Sequence, residues 1–203
     1  MNFIEQLQRL SDPGFYAEIG IEPKWRIGSK SGKQNEIYPY FDADQCEYIL
    51  DSLFTPAGWS CEYRQIGDHL FCTIGVFDAE KQMFIEKSDA GGSRTATKTL
   101  DQDDLDTFRS KTAASGSFVR AAAKWGIGRH LSALPKVRLE VKDYVAYTPD
   151  GQPLRGALEL SAWCNATNVS VLYLMEIYKY NVALFSSNPR AKDCLSELKS
   201  FVV

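Results

Sequence analysis

The sequence predicts an α+β protein in which an antiparallel three-stranded meander packs on one long helix, with a C-terminal hairpin and helices beyond. Three observations predict it. From Trp59 the hydrophobic period falls from about 3.6 to about 2 across "WSCEYRQ", "LFCTIGVF" and "QMFIEK", which the turn signals "IGDH" and "DAEK" separate. A helical pattern then runs from the acids Asp101, Asp103 and Asp104, suited to the positive end of a helix dipole, to Trp125, with Gly126 as the stop. After "SALPK", "VRLEVKDYVAY" and "LRGALEL" flank the turn "TPDGQP" as a hairpin.

Taken in order, the elements begin with a short amphipathic helix that places Phe3, Ile4, Leu7 and Leu10 on one side and ends at "SDPG". The next stretch, "IEPKWRIGSKSGKQNEIYPYF", combines a candidate strand around Trp25 with a basic, glycine-containing loop. Asp42 and Gln45 have capping-box spacing, and Cys46, Ile49, Leu50 and Leu53 recur at helical intervals, so a helix spans about 43 to 54. In the meander, Trp59, Cys61 and Tyr63 share one face and Glu62 and Arg64 the other, as in a sheet covered on one side. "KSDAGGSRTATKTL" reads as a polar loop. The last forty or so residues read as two helical pieces broken at "SSNPR", with Asn188 as cap and Pro189 in the first helical position. Residues 1–139 are expected to form a core domain and 140–203 an extension packed on it or on a neighbouring subunit.

Composition narrows the class. The chain has 203 residues, 44% hydrophobic and 24% charged, with a formal net charge of −3, so bulk charge would not hold a polyanion and any anion site must be local. Its five cysteines lack a C-x-x-C pair and read as reduced core thiols. The N-terminal segment carries acid and lacks a signal-peptide core, and no apolar run approaches the ~20 residues of a membrane span, so a cytoplasmic protein is expected. Neither His69 nor His130 stands in a triad or metal-ligand pattern, and "SDAGGS" lacks phosphate-loop spacing. No enzyme activity and no cofactor are expected.

Positive charge is concentrated in one place. Between Arg109 and Arg138 lie seven cations (Arg109, Lys111, Arg120, Lys124, Arg129, Lys136 and Arg138) and no carboxylate. On a helix, positions 109, 113, 116, 120 and 124 form a cationic or small stripe, while 114, 118, 121 and 125 carry Phe118 and Trp125 on another. Arg120 and Lys124 then stand about 6 Å apart along the axis, compatible with a phosphate backbone repeating every ~3.4 Å. The same pattern also suits a solvated helix face, although acids at i,i+4 spacing are missing from it. Arg64, Lys87 and Arg26 are further candidate contacts or ordinary surface charges. Trp59, Tyr63, Phe71 and Trp125 are expected in the core, with base stacking as the alternative.

These residues also resemble a known family. "YPYFDADQCEYILDSLFTPAGWSCEYR", "CTIGVF", "EKSDAGG" and "KTAASGSFVRAAAKWGIGRHLSALPK", in that order, are similar to the single-strand annealing proteins of the Rad fifty-two type, in their bacterial and phage branch, over roughly residues 20–137. The resemblance implies an α-β-β-β-α core, assembly into homo-oligomeric rings or helical filaments, and single-stranded DNA held in a basic groove for annealing in recombination and repair without ATP or metal. A single-stranded-DNA-binding protein is a further implied partner. Arg120 matches the family's backbone-facing arginine, Lys124 follows one turn on, and Lys111 matches the lysine that opens the motif. Val119 replaces a lysine common in relatives, and His130 stands at a tyrosine position. A compact module that reads duplex RNA by shape is the rival reading, because the same element order occurs there.

Overall fold

The computed structural model describes residues 1–31, 33–91, 102–134 and 137–167, and within them the side chains of 31, 102–109 and 133 lie outside the description. The chain is a mixed α+β protein with two antiparallel sheets. Helices α1 (Phe3–Arg9) and α2 (Pro13–Glu18) precede strands β1 (Lys24–Ser31) and β2 (Gln34–Tyr40); α3 (Ala43–Phe54), β3 (Trp59–Ile66), β4 (His69–Asp78), β5 (Met83–Gly91) and α4 (Gln102–Trp125) follow. A 3-10 turn (Arg129–Ala133), strands β6 (Val137–Lys142), β7 (Val145–Tyr147) and β8 (Pro153–Leu154), and a helix over 156–167 complete the described chain. Among the described residues no helix is long and apolar enough to cross a membrane.

Local signals placed the middle of the chain. The α3 capping box forms as the spacing predicts, with the Gln45 N–H donating to Asp42 Oδ1 and the Asp42 N–H to Gln45 Oε1, and Cys46, Ile49, Leu50 and Leu53 are buried. The meander forms the three-stranded sheet in the order β3-β4-β5. Its register pairs Trp59 with Val76, Cys61 with Ile74 and Tyr63 with Cys72, and then Ile74 with Lys87 and Cys72 with Asp89. Paired residues share a face, so Cys61, Tyr63, Cys72, Ile74, Lys87 and Asp89 all lie on one side. Helix α4 packs against β4 and β5 on that side. Over β3 the same face stays open: Tyr63 is 45% exposed and Cys61 is exposed, against the expectation that both belong to the core.

Close packing of α4 on β5 follows from small residues. A Cβ on Gly91 would lie 2.3 Å from the Ala113 carbonyl oxygen and 2.8 Å from the Ser117 nitrogen, so only glycine lets the two backbones meet here. Further along α4, Phe118, Ala121, Ala122 and Trp125 are buried, and Trp125 Nε1 donates to the Ile74 carbonyl at 3.1 Å. Gly126, at φ 111°, ends the helix as expected.

Long-range pairing differs from the expectations. The basic stretch after Pro23 is a hairpin, and β2 also pairs with β6, giving a second sheet in the order β1-β2-β6-β7-β8. Trp25 and Ile37 of this sheet are buried. Trp25 Nε1 donates to Asn165 Oδ1 at 2.6 Å and its backbone N–H to Ser161 Oγ at 2.9 Å, which ties β1 to the helix over 156–167. Strand β6 crosses position 139/140 and joins both parts of the chain.

Other segments are corrected. "SDPG" starts α2, capped by Asp12 with Pro13 in its first turn, because Phe15 and Tyr16 bury their rings there; Ile4 of α1 is 66% exposed. "VRLEVKDYVAY" folds on itself as β6-β7 through Asp143 and Tyr144, both at positive φ. Of the expected second hairpin arm only Leu154 is strand, paired together with Pro153 of the turn, since residues from 156 turn helical to bury Leu160 and Cys164 at i,i+4 spacing. The presumed loop "KSDAGG" is strand through Gly91, held by the pairing of Lys87–Gly91 with β4. The break at "SSNPR" lies outside the described residues.

Two glycines, one inside this packing and one outside it, predict opposite effects. Gly91→Ala loses about 1–3 kcal/mol, because the obstructing atoms are backbone. Gly116→Ala, on the same helix but with nothing within 4 Å of the added Cβ, gains about 0.5–1 kcal/mol from helix propensity. Urea denaturation of the two variants measures both shifts.

Candidate nucleic-acid interface

Helix α4 and strand β5 run in opposite directions, and their repeats keep step. Two strand residues advance about 6.7 Å and four helical residues about 6 Å. Gly91 therefore faces Ala113 and Ser117, Asp89 faces Arg120 and Lys124, and Lys87 faces Lys124 and Trp125.

This match places two cations of α4 beside one carboxylate, with Lys87 and Arg129 as a second pair of neighbours at the end of the helix. Arg120 Nε lies 3.6 Å from Asp89 Oδ1, and Lys124 Nζ 3.5 Å from Asp89 Oδ2. Lys87 Nζ donates to the Lys124 carbonyl at 3.0 Å, satisfying an open acceptor in the last turn of α4, and sits 4.4 Å from the centroid of the Trp125 ring. Burial lowers the Lys87 pKa, and the neighbouring Arg129 guanidinium adds to the lowering. Arg129, in the 3-10 turn, is exposed. For Asp89, burial favours the neutral acid, but the Ala90 N–H and the two cations of α4 outweigh it and hold the carboxyl below its ordinary value.

Arg120 and Lys124 nevertheless keep 63% and 56% of their side chains in solvent. Pairs this long and this exposed contribute little, about 0–1 kcal/mol. The arrangement is a cationic ledge with a weakly engaged internal anion, able to accept a phosphate without a large structural change.

The remaining candidates lie elsewhere. Arg64 is on the face of β3 turned away from α4, next to Glu62 at 3.5 Å. Arg26 belongs to the other sheet, where its guanidinium stands 5.2 Å from the Tyr40 ring centroid, and its neighbour Trp25 is 1% exposed and so presents no stacking surface. Lys111 is exposed on α4, but nine residues before Arg120 places it about half a turn around the helix. Arg109 belongs to α4, with its side chain outside the described residues. Lys136 also lies outside them. Asp89 was missed because its cations follow 31 and 35 positions later, beyond any local charge pattern.

Val119 and His130 both have structural partners. Val119 lines an apolar groove of about 440 Å³ between β2 and the end of α4, with Ile37, Tyr40, Phe41 and Leu131 among its walls, so a hydrophobic side chain suits that position. The His130 ring lies 4.2 Å from the Tyr16 ring and 5.9 Å from Phe41, centroid to centroid. Its Nδ1 is buried without a hydrogen-bond partner. Among the described residues no three His, Cys, Asp or Glu side chains are grouped so as to hold a metal ion.

The partly buried imidazole predicts a pH effect. Burial lowers the His130 pKa from 6.5 to about 4. Its contribution to stability is therefore complete above about 6.5 and is lost as pH falls towards about 4, because the unfolded chain takes up the proton first. His130→Phe removes that part of the acid sensitivity, read as a smaller fall in the urea midpoint between neutral pH and pH about 4. Compared with known proteins, the chain matches no family model, no curated protein and no solved structure.

Proposed function

We propose that this chain is a single-strand annealing protein of the Rad fifty-two type. It acts as a homo-oligomeric ring or filament, without ATP, cofactor or covalent chemistry, in recombination or repair in the cytoplasm. Single-stranded DNA follows a track made of one ledge per subunit, formed by Arg120, Lys124, Lys87 and Arg129. The chain order α3-β3-β4-β5-α4 supports reading this unit as the family's core. A single-stranded-DNA-binding protein is the proposed further partner.

One observation carries the reading: two exposed cations stand one helical turn apart on α4, held in place by β5, on a chain whose net charge is −3. A single ledge is too small to hold a polyanion firmly. Repetition around an oligomer makes each further contact effectively intramolecular, and affinity then rises without a basic subunit. Contact with phosphates leaves the base edges free for a complementary strand, whereas deep stacking would occupy each base at about 1–3 kcal/mol.

Arg120→Glu is expected to abolish stable binding of a labelled single-stranded oligonucleotide while leaving particle size unchanged in electron micrographs; retained affinity removes the ledge from the mechanism. Asp89→Asn is expected to act in the other direction, raising affinity about two- to five-fold, the equivalent of about 0.5–1 kcal/mol. Fluorescence anisotropy across a salt series measures both, with a slope of about −0.7 per phosphate contact. Displacement of the oligonucleotide by duplex RNA at equal concentration would favour the shape-reading module instead.

A further inference from the structure

The open part of the meander holds a second chemical feature, independent of the cationic ledge. Cys61 of β3 and Cys72 of β4 are diagonal neighbours on the same face, with their sulfurs 3.5 Å apart. Cys61 is exposed, whereas Cys72 is fully buried. Their surroundings differ in kind as well as in access. The Cys72 thiol hydrogen-bonds to the Cys61 sulfur and outweighs burial, so that with the Tyr63 hydroxyl it brings the Cys61 pKa down to about 7. Cys72 is pushed up, first by that same hydrogen bond and then by burial.

We propose that Cys61 and Cys72 form a modification site for low-molecular-weight disulfides, with Cys61 as the attacking thiolate and Cys72 as the resolving thiol. In the first step Cys61 gives its proton to water and attacks one sulfur of the reagent. The reagent's S–S bond breaks, a Cys61–S–S–R bond forms, and one thiolate leaves and is protonated by solvent. Capping Cys61 removes the acceptor that kept Cys72 protonated. Cys72 then attacks the Cys61 sulfur; the Cys61–S–S–R bond breaks, and the second thiolate leaves outward through the open side of β3, taking up the proton that Cys72 gives up. Two electrons pass from the two cysteines to the reagent, which ends as two thiols. Closure requires the sulfurs to approach from 3.5 Å to the ~2.05 Å of a disulfide, a displacement that side-chain rotation can supply within a paired hairpin.

The sequence of events has its own logic. A reagent cannot reach Cys72 first, because nothing of that side chain meets solvent. A mixed disulfide at Cys61 does not persist, because the second sulfur is already beside it and competes at a high effective concentration. Cys46 and Cys164 are buried, and burial raises both thiols to about 12, so neither is a comparable nucleophile.

The full-length chain, incubated with oxidised glutathione at mildly alkaline pH, alkylated and digested without reduction, tests the proposal by peptide mass mapping. The expected product is a cross-link between the tryptic peptide that ends at Arg64 and the one that contains Cys72, released by dithiothreitol. Fragment ions must place it on Cys61, since Cys46 shares that first peptide. Cys72→Ser is expected to retain one glutathione on Cys61, and Cys61→Ser to leave Cys72 unmodified. A glutathione adduct that persists on wild-type Cys61, a cross-link through Cys46, or full alkylation of both thiols after exposure overturns the proposal. Should Cys72→Ser fail to fold, the wild-type map decides alone.

Discussion

The contact between β5 and α4 sets the positions of everything else around the ledge. It depends on the absence of a side chain at Gly91, where any Cβ would press on the backbone of α4 at Ala113 and Ser117. With the helix that close, the inward residues of the strand cannot be ordinary core side chains all along its length. Towards the C-terminal turn of α4 they are Asp89 and Lys87, and both find partners on the helix: a carboxylate for two cations and an ammonium for an open carbonyl. Polar groups at the rim of a tightly packed interface thus complete the helix end and position its charges together.

Aromatic packing holds this unit against the rest of the molecule. Trp125 bonds to the Ile74 carbonyl and meets Phe3 of α1 edge-on at 6.3 Å. Tyr16 of α2 donates to the Leu10 carbonyl, stacks on Phe41 and lies beside His130 just beyond the helix stop. The N-terminal helices are therefore a clamp on the end of α4, and the turn that carries Arg129 is supported from below. On the far side, Asn165 spends its amide group on the Pro23 carbonyl and the Glu22 carboxylate and accepts the Trp25 indole proton, so the second sheet closes on the helix over 156–167 through a satisfied buried network.

Legibility in the sequence followed the range of each interaction. Helix α3, the meander and the end of α4 were readable because their caps, turns and periods lie within a dozen residues. Each arm of β1-β2 offers too few apolar positions to show a period of two amid its lysines and polar residues, and the pairing of β2 with β6 joins segments about a hundred positions apart in the chain. The burial of Trp25 was not readable for the same reason: its partner Asn165 lies 140 positions away. Of the candidate site, the helical stripe of Arg120 and Lys124 was visible, while Asp89 emerges only from the register between a strand and a helix. The thiol pair was within reach, since a short turn after Ile66 already sets Tyr63 opposite Cys72.

Among the described residues, strand β3 has a neighbour on one edge only, and it exposes nearly its whole length. Its backbone bonds are consequently the cheapest of the meander to open, for detaching it uncovers little apolar area beyond Trp59, whereas β4 is held between two strands and under a helix. Fraying of the meander thus begins at the edge opposite the ledge, and β5 and α4 can remain engaged while it happens.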